Sequence, residues 1–196
     1  MPNPIAIIIP TLDAALGAAT GRLAQATAGC DTRLIVVDGP KRGFTATVND
    51  GLAQTTAEDV CILNDDVLWF TPGWLATLRA ALYSAPDIAI VGPTGKSNTV
   101  PMAKAPMGGT GLETVEHLPF WCVLIRRSVI EQFGPLDLRF IHYASDNIYC
   151  DRVNAAGLRC VWVRSVYLAH RSHGSGLIST WAKQDMALYR RERRRV

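Results

Sequence analysis

The sequence predicts an α/β fold: a single domain with a mostly parallel central sheet flanked by helices. Two observations carry this. Short apolar runs alternate along the chain with segments of helix length, the pattern of stacked β-α units. Four of those runs stop at residues suited to facing a ligand, namely Pro10-Thr11, Asp38, Asn64-Asp65-Asp66 and Gly92-Pro93, as expected where strand ends share one edge of an open sheet.

The elements follow in order. Ile5 to Ile9 is a buried strand closed by Pro10, and the Ala-rich stretch Leu12 to Ala28 is a helix. Arg33 to Val37 is the second strand, ended by Asp38-Gly39-Pro40; Phe44 to Leu52 is a helix and Val60 to Leu63 the third strand. Pro72 stands near the first turn of a helix reaching about Tyr83, a position that tolerates proline. Ile88 to Val91 is a fourth strand. Glycines and prolines from Gly92 to Gly111 then break the pattern, which predicts a loop with the makings of a lid. Regular structure returns at Phe120 to Ile125, followed by a short helix over Ser128 to Phe133. Asp146 to Ala156 is a helix stopped by Gly157, Cys160 to Val163 is a strand, and Thr180 to Arg195 is the last helix. The expected division is a body over 1–176 and an amphipathic, Arg-rich helix over 177–196.

Composition agrees with one globular domain: 196 residues, 48% hydrophobic and 19% charged. The net charge of +3 is unevenly placed, because the last seven residues carry five Arg and one Glu and the remaining body is close to neutral. The cysteines, Cys30, Cys61, Cys122, Cys150 and Cys160, are odd in number and form no Cys-x-x-Cys pair. That argues against a disulfide framework or zinc knuckle and for a reducing compartment. The N-terminus lacks the features of a signal peptide, and no apolar run approaches the length of a membrane span. The expectation is a soluble, cytoplasmic protein.

The run Cys61-Ile62-Leu63-Asn64-Asp65-Asp66 is the most informative stretch. Carboxylates at the end of a buried strand are costly unless something cationic meets them. Mg²⁺ and Mn²⁺ take oxygen ligands, often a carboxylate or two plus phosphate oxygens. Read alone, the same residues equally suit a turn with Asp66 capping the next helix. A nucleotide carrying a metal-bound diphosphate would fit a cleft with Asp38 on one side, Asp65 and Asp66 on the other, and Lys41 and Arg42 nearby. There is no P-loop and no Gly-x-Gly-x-x-Gly after the first strand, so phosphate would be held by metal and side chains. His170-Arg171-Ser172-His173 lacks the further ligands of a structural zinc site.

Taken as an ordered set, the motifs resemble glycosyltransferase family 2, nucleotide-sugar enzymes of GT-A (Rossmann-like) fold. Ile8-Ile9-Pro10-Thr11 resembles the family's opening strand and first nucleotide-contacting turn. Val36-Val37-Asp38-Gly39 resembles the strand end whose Asp contacts the base, and Arg42-Gly43-Phe44 with Asn49 and Gly51 resembles the helix that follows. Leu63-Asn64-Asp65-Asp66-Val67 resembles the D-x-D segment with Asn in first place. Cys122 to Arg127 with Phe133-Gly134-Pro135-Leu136-Asp137 resembles the acceptor-side segment, and Ser145-Asp146 the start of the helix with the catalytic base. His170 and Ser175 resemble a late His…Ser pair whose His completes the metal site, with His173 as a substitute.

The resemblance implies an inverting, metal-dependent transfer of a sugar from a UDP- or GDP-sugar to an acceptor hydroxyl. Asp146 would be the base, alternatively only the N-cap of its helix. Asp66 and His170 would ligate Mn²⁺ or Mg²⁺. Pro10, Thr11, Asp38, Arg42, Asn49, Asn64 and Asp65 would contact the nucleotide, and Trp121 the acceptor. In place of the family's usual Glu-Asp and further acid stand Ser145-Asp146 and Ile148, which leaves one acid on that turn. Leu177, Trp181, Met186 and Leu188 give the last helix one apolar face, and its Arg cluster suits nucleic acid, anionic membrane or plain solvent. Acceptors in keeping with this are hydroxymethylated phage DNA, a glycan, a lipid or a protein. The competing expectation is a catalytically silent nucleotide- or nucleic-acid-binding module of the same fold.

Overall fold

The computed structural model describes residues 3–39, 42–96, 109–171 and 178–196. Lys41, Ser172, His173, Ser175, Leu177 and the middle of the expected lid lie outside the described residues.

The strands are β1 (Ile5–Thr11), β2 (Thr32–Asp38), β3 (Val60–Leu63), β4 (Val67–Phe70), β5 (Ile88–Lys96), β6 (Leu112–Val115), β7 (Cys122–Ile125) and β8 (Arg159–His170). The helices are α1 (Ala14–Thr27), α2 (Phe44–Leu52), α3 (Trp74–Leu82), α4 (Arg127–Phe133), α5 (Ser145–Ala155) and α6 (Ile178–Glu192), the last running into a short 3₁₀ turn. The sheet order is β2-β1-β3-β7-β5-β8-β4, with β6 added on β8. β1, β2 and β3 are mutually parallel, as are β5 and β8, while β7 runs antiparallel between β3 and β5.

β1 shows why the sheet is covered on both sides. Ile5, Ile7 and Ile9 join a core with α1 and α3, while Ala6 and Ile8 join a second core with α2, α4 and α5. A strand that alternates between two buried faces has to be apolar at nearly every position. α1 starts where Asp13 accepts the N–H groups of Ala15 and Leu16, at 2.9 and 3.1 Å, satisfying donors that have no partner inside the helix.

Four elements depart from expectation. β8 does not stop at Val163 but continues to His170, because Val166 and Leu168 keep packing into the core while β8 pairs with β5 on one side and β4 on the other. β4 and β6 were not expected as strands. β4 carries two exposed apolar residues, Leu68 and Trp69, between buried Val67 and Phe70, and β6 is largely exposed. β5 likewise extends through Gly92 to Lys96, into the segment expected to be a loop.

α2 is fixed by the residues that looked most like a binding motif. Gly43 has φ of 85°, and a Cβ there would lie 2.3 Å from the Ile141 carbonyl oxygen. A Cβ on Gly51 would lie 2.4 Å from Ile8 on β1. The Asn49 amide donates to the Leu136 carbonyl at 2.8 Å and accepts the Leu136 N–H at 2.9 Å. Asn49, expected at the nucleotide, ties α2 to the segment after α4.

Asn49→Ala is expected to lower unfolding free energy by roughly 1–3 kcal/mol, read from urea denaturation, because it leaves both polar groups of buried Leu136 without that partner. An unchanged midpoint would overturn the clamp.

Candidate functional site

Parallel pairing brings the ends of β1, β2 and β3 to one edge, with Thr11 opposite Asp38 and Ile8 opposite Ile62. At that edge the Thr11 hydroxyl donates to Asp65 Oδ2, and the Thr20 hydroxyl from α1 donates to the Asp65 carbonyl. Burial, reinforced by the neighbouring Asp66 charge, pushes the Asp65 carboxyl above its ordinary range despite the Thr11 hydrogen bond. Asp38 stands exposed at the end of β2. Arg42 is exposed too and pairs with Asp50.

β8 delivers His170 beside β4, where it lies opposite Val67 in register. Its Nε2 is 2.6 Å from Asp66 Oδ1 and 3.4 Å from the Asn64 amide nitrogen. Only about a tenth of either side chain, Asp66 or His170, is exposed. The Arg171 N–H also donates to the Asp66 carbonyl at 3.0 Å. Trp121 precedes antiparallel β7, so it meets the end of β3: its carbonyl accepts the Asn64 N–H at 2.8 Å. The Trp121 indole lies flat on the His170 ring, with centroids 4.9 Å apart and planes 12° apart. Expected at an acceptor, Trp121 is buried, and one of its faces is covered by His170.

The residue before Trp121 reaches the next carboxylate. The Phe120 N–H approaches Asp146 Oδ2 at 3.4 Å, and the Asn147 N–H donates to Asp146 Oδ1 at 2.9 Å. Burial raises the Asp146 carboxyl above the usual carboxylate range; these backbone donors and His117 oppose the shift without cancelling it. One line of contacts thus runs from Thr11 through the Asn64-Asp65-Asp66 turn and the Trp121–His170 stack to Asp146.

A second group of candidate metal-binding side chains, Glu116, His117 and Asp151, was not anticipated; one ligand atom from each lies within 4.8 Å of the others. This group already holds a cation of the chain itself. Arg193 pairs with Glu116 and lies 3.8 Å from Asp151, which also receives His117 at 2.8 Å. The last helix also differs from the apolar face expected of it: Met186 is exposed, whereas Tyr189 and Asp185 are buried. All five cysteines are free. No described helix is long and apolar enough to cross a membrane.

No family model matches the sequence. An O-antigen biosynthesis protein, RfbC of Myxococcus xanthus, is 29% identical over 163 aligned residues, covering 67% of this chain and 12% of that protein. The chain spans less than a fifth of the length of the curated relatives it matches. A mannosyltransferase from Pyrobaculum calidifontis, solved with GDP-Man and Mn²⁺, superposes with a TM-score of 0.66 at 16% identity, covering 97% of this chain and 65% of that one. Glucosyl-3-phosphoglycerate synthase from Mycobacterium tuberculosis, solved with Mn²⁺, UDP and glucosyl-3-phosphoglycerate, gives 0.64 at 16% identity over 97% of this chain and 79% of that one. The chain has the GT-A fold. Its resemblance to glycosyltransferase family 2 is supported by these structural likenesses together with the likeness to RfbC.

Trp121→Ala is expected to cost about 3–5 kcal/mol of stability, as for other buried aromatic truncations. Trp121→Phe should cost far less, since a ring face against His170 is retained and the indole N–H has no hydrogen-bond partner among the described residues. Equal losses in thermal unfolding would contradict this account.

Proposed function

We propose that this chain is a metal-dependent glycosyltransferase that moves a sugar from a nucleoside-diphosphate donor to an acceptor hydroxyl with inversion at the anomeric carbon. The observation that carries this is the convergence of Asp66 and His170 at 2.6 Å on the edge where β1, β2 and β3 end. A carboxylate oxygen and an imidazole nitrogen at one point form a donor set suited to Mn²⁺, and the carboxylate suits Mg²⁺ as well. Asp66 and His170 would hold the ion. When bound, it supplies Lewis-acid stabilisation of negative charge on the leaving diphosphate. The similar structures that contain GDP-Man or UDP with Mn²⁺ support the same reading of the donor.

The chain's own residues divide the remaining work. Thr11 holds Asp65 in place, and Trp121 fixes the plane of the His170 ring. Asp38 and the Pro10-Thr11 turn lie where a nucleoside would meet the sheet edge, with Arg42 beside them. Asp146 takes the proton from the acceptor hydroxyl. Its raised affinity for a proton makes it a stronger base than a free Asp. Three of the five arginines expected to meet a nucleic-acid acceptor, Arg191, Arg193 and Arg195, pair with carboxylates of the chain itself. The proposal therefore names an acceptor hydroxyl and assigns these three arginines no contact with DNA.

A thermal-shift screen of nucleotide sugars with Mn²⁺ should show stabilisation of about 2.7 kcal/mol at a hundredfold excess over Kd. Asp66→Ala should abolish the Mn²⁺-dependent part and transfer with it. Strong salt-dependent DNA binding without nucleotide binding would favour the silent module instead.

Asp146 must be ionised to act. Because burial raises its folded-state pKa, kcat should fall on acidification at a pH above the ordinary Asp value of about 3.9. The same shift means that Asp146 favours folding most when protonated and that this contribution is lost as pH rises through the folded-state pKa. The melting temperature of Asp146→Asn relative to the parent should therefore be higher at neutral pH than at about pH 4, while transfer is lost. An acid limb at or below the free Asp value would contradict the assignment.

A further inference from the structure

We infer that α6 is a working part of the site and that Asp185 is its positioning residue, holding the turn that presents Asp146. The purpose assigned to the turn rests on the transferase reading; the anchoring does not.

Asp185 is fully buried. Its Oδ1 accepts the Ile141 N–H at 3.1 Å, and its Oδ2 accepts the N–H groups of His142 and Tyr143, both at 2.8 Å. Three successive backbone donors thus converge on one carboxylate, the arrangement that makes a buried charge tolerable. The residue after them, Ala144, has φ of 60° and is the one non-glycine residue with positive φ among those described. An L-residue keeps that conformation only where its surroundings impose it. Here they do so from several sides. Asp185 grips the preceding N–H groups, and the Ile141 carbonyl accepts the Thr45 N–H at 3.2 Å. Ala144 packs with Phe140, Ile148 and Tyr189. α5 begins at the next residue, and its second residue is Asp146.

Other ties from α6 fall on the same neighbourhood. Trp181 lies against His142 with ring centroids 5.9 Å apart, and Glu192 holds Arg139 at 2.8 Å. The Tyr189 hydroxyl is 3.2 Å from His117, which sits beside Asp151 of α5 and opposes the upward shift of Asp146. The donor edge is instead built from β1, β2, β3 and β8. Loosening α6 should therefore disturb the base more than the donor.

Asp185→Asn replaces one accepting oxygen with an amide that faces backbone donors. In hydrogen–deuterium exchange the parent should protect the amides of residues 141–143 as strongly as its helices, although they lie in an irregular segment. The variant should exchange at 141–148 at least tenfold faster, with β1–β3 unchanged. In transfer assays its kcat should fall tenfold or more, while donor KM and the Mn²⁺-nucleotide thermal shift stay within twofold. Adding Ala144→Gly should recover part of the lost kcat. Unprotected parent amides, or unchanged exchange in the variant, would overturn the anchoring whatever the activity. Faster exchange with unchanged kcat, or kcat and donor affinity falling together, would overturn the positioning role. If the variant does not fold, parent protection decides the anchoring. A parent that transfers no sugar at all would refute the transferase reading, and exchange would still decide the anchoring.

Discussion

A carboxylate placed at the end of a buried strand must be met by a donor, and that constraint organises this molecule's candidate site. Asp65 is met by Thr11 from β1, and Asp66 by His170 from the far end of β8. Asp146 is met by backbone N–H groups, one of them at the entrance to β7. Thr11, His170 and Phe120 come from different parts of the chain, so meeting the acids also joins the elements that carry them. Desolvation would otherwise make such a cluster strongly destabilising. The upward shifts of Asp65 and Asp146 show that the donors only partly offset it.

Residues that resemble a ligand-binding motif also hold the scaffold together. Gly43 and Gly51 have no side chain because Ile141 and Ile8 occupy the space, and Asn49 is engaged at both ends by Leu136. This binds α2 both to β1 and to the irregular stretch between α4 and α5. The same stretch receives Asp185 from the opposite side. The turn before Asp146 is thus held between α2 and α6, which accounts for the strained conformation of Ala144 persisting there. The basic end of α6 is engaged within the chain too, with Arg193 pairing with Glu116 and Arg195 with Glu192.

The order and extent of the central elements were legible in the sequence because burial on two faces leaves a compositional mark. Phe44–Leu52 and Val60–Leu63 have the bounds read from the sequence, and β1, β2, α1, α3, α4 and α5 differ from it by a few residues at most. The end of β3 was legible as a candidate site for the complementary reason: acids next to a wholly apolar run call for a partner, although the same residues read alone equally suit a turn. Tertiary structure decided what local pattern does not encode. β4, β6 and the second half of β8 exist because they pair with one another or with distant strands, and their half-exposed sequences carry a weak signal. That Trp121 stacks on His170, that Asn49 clamps a loop, and that Asp185 caps a turn more than forty residues earlier all depend on which distant groups the fold brings within reach. Hydrogen bonds and stacking act over a few ångströms in space, whatever the separation along the chain.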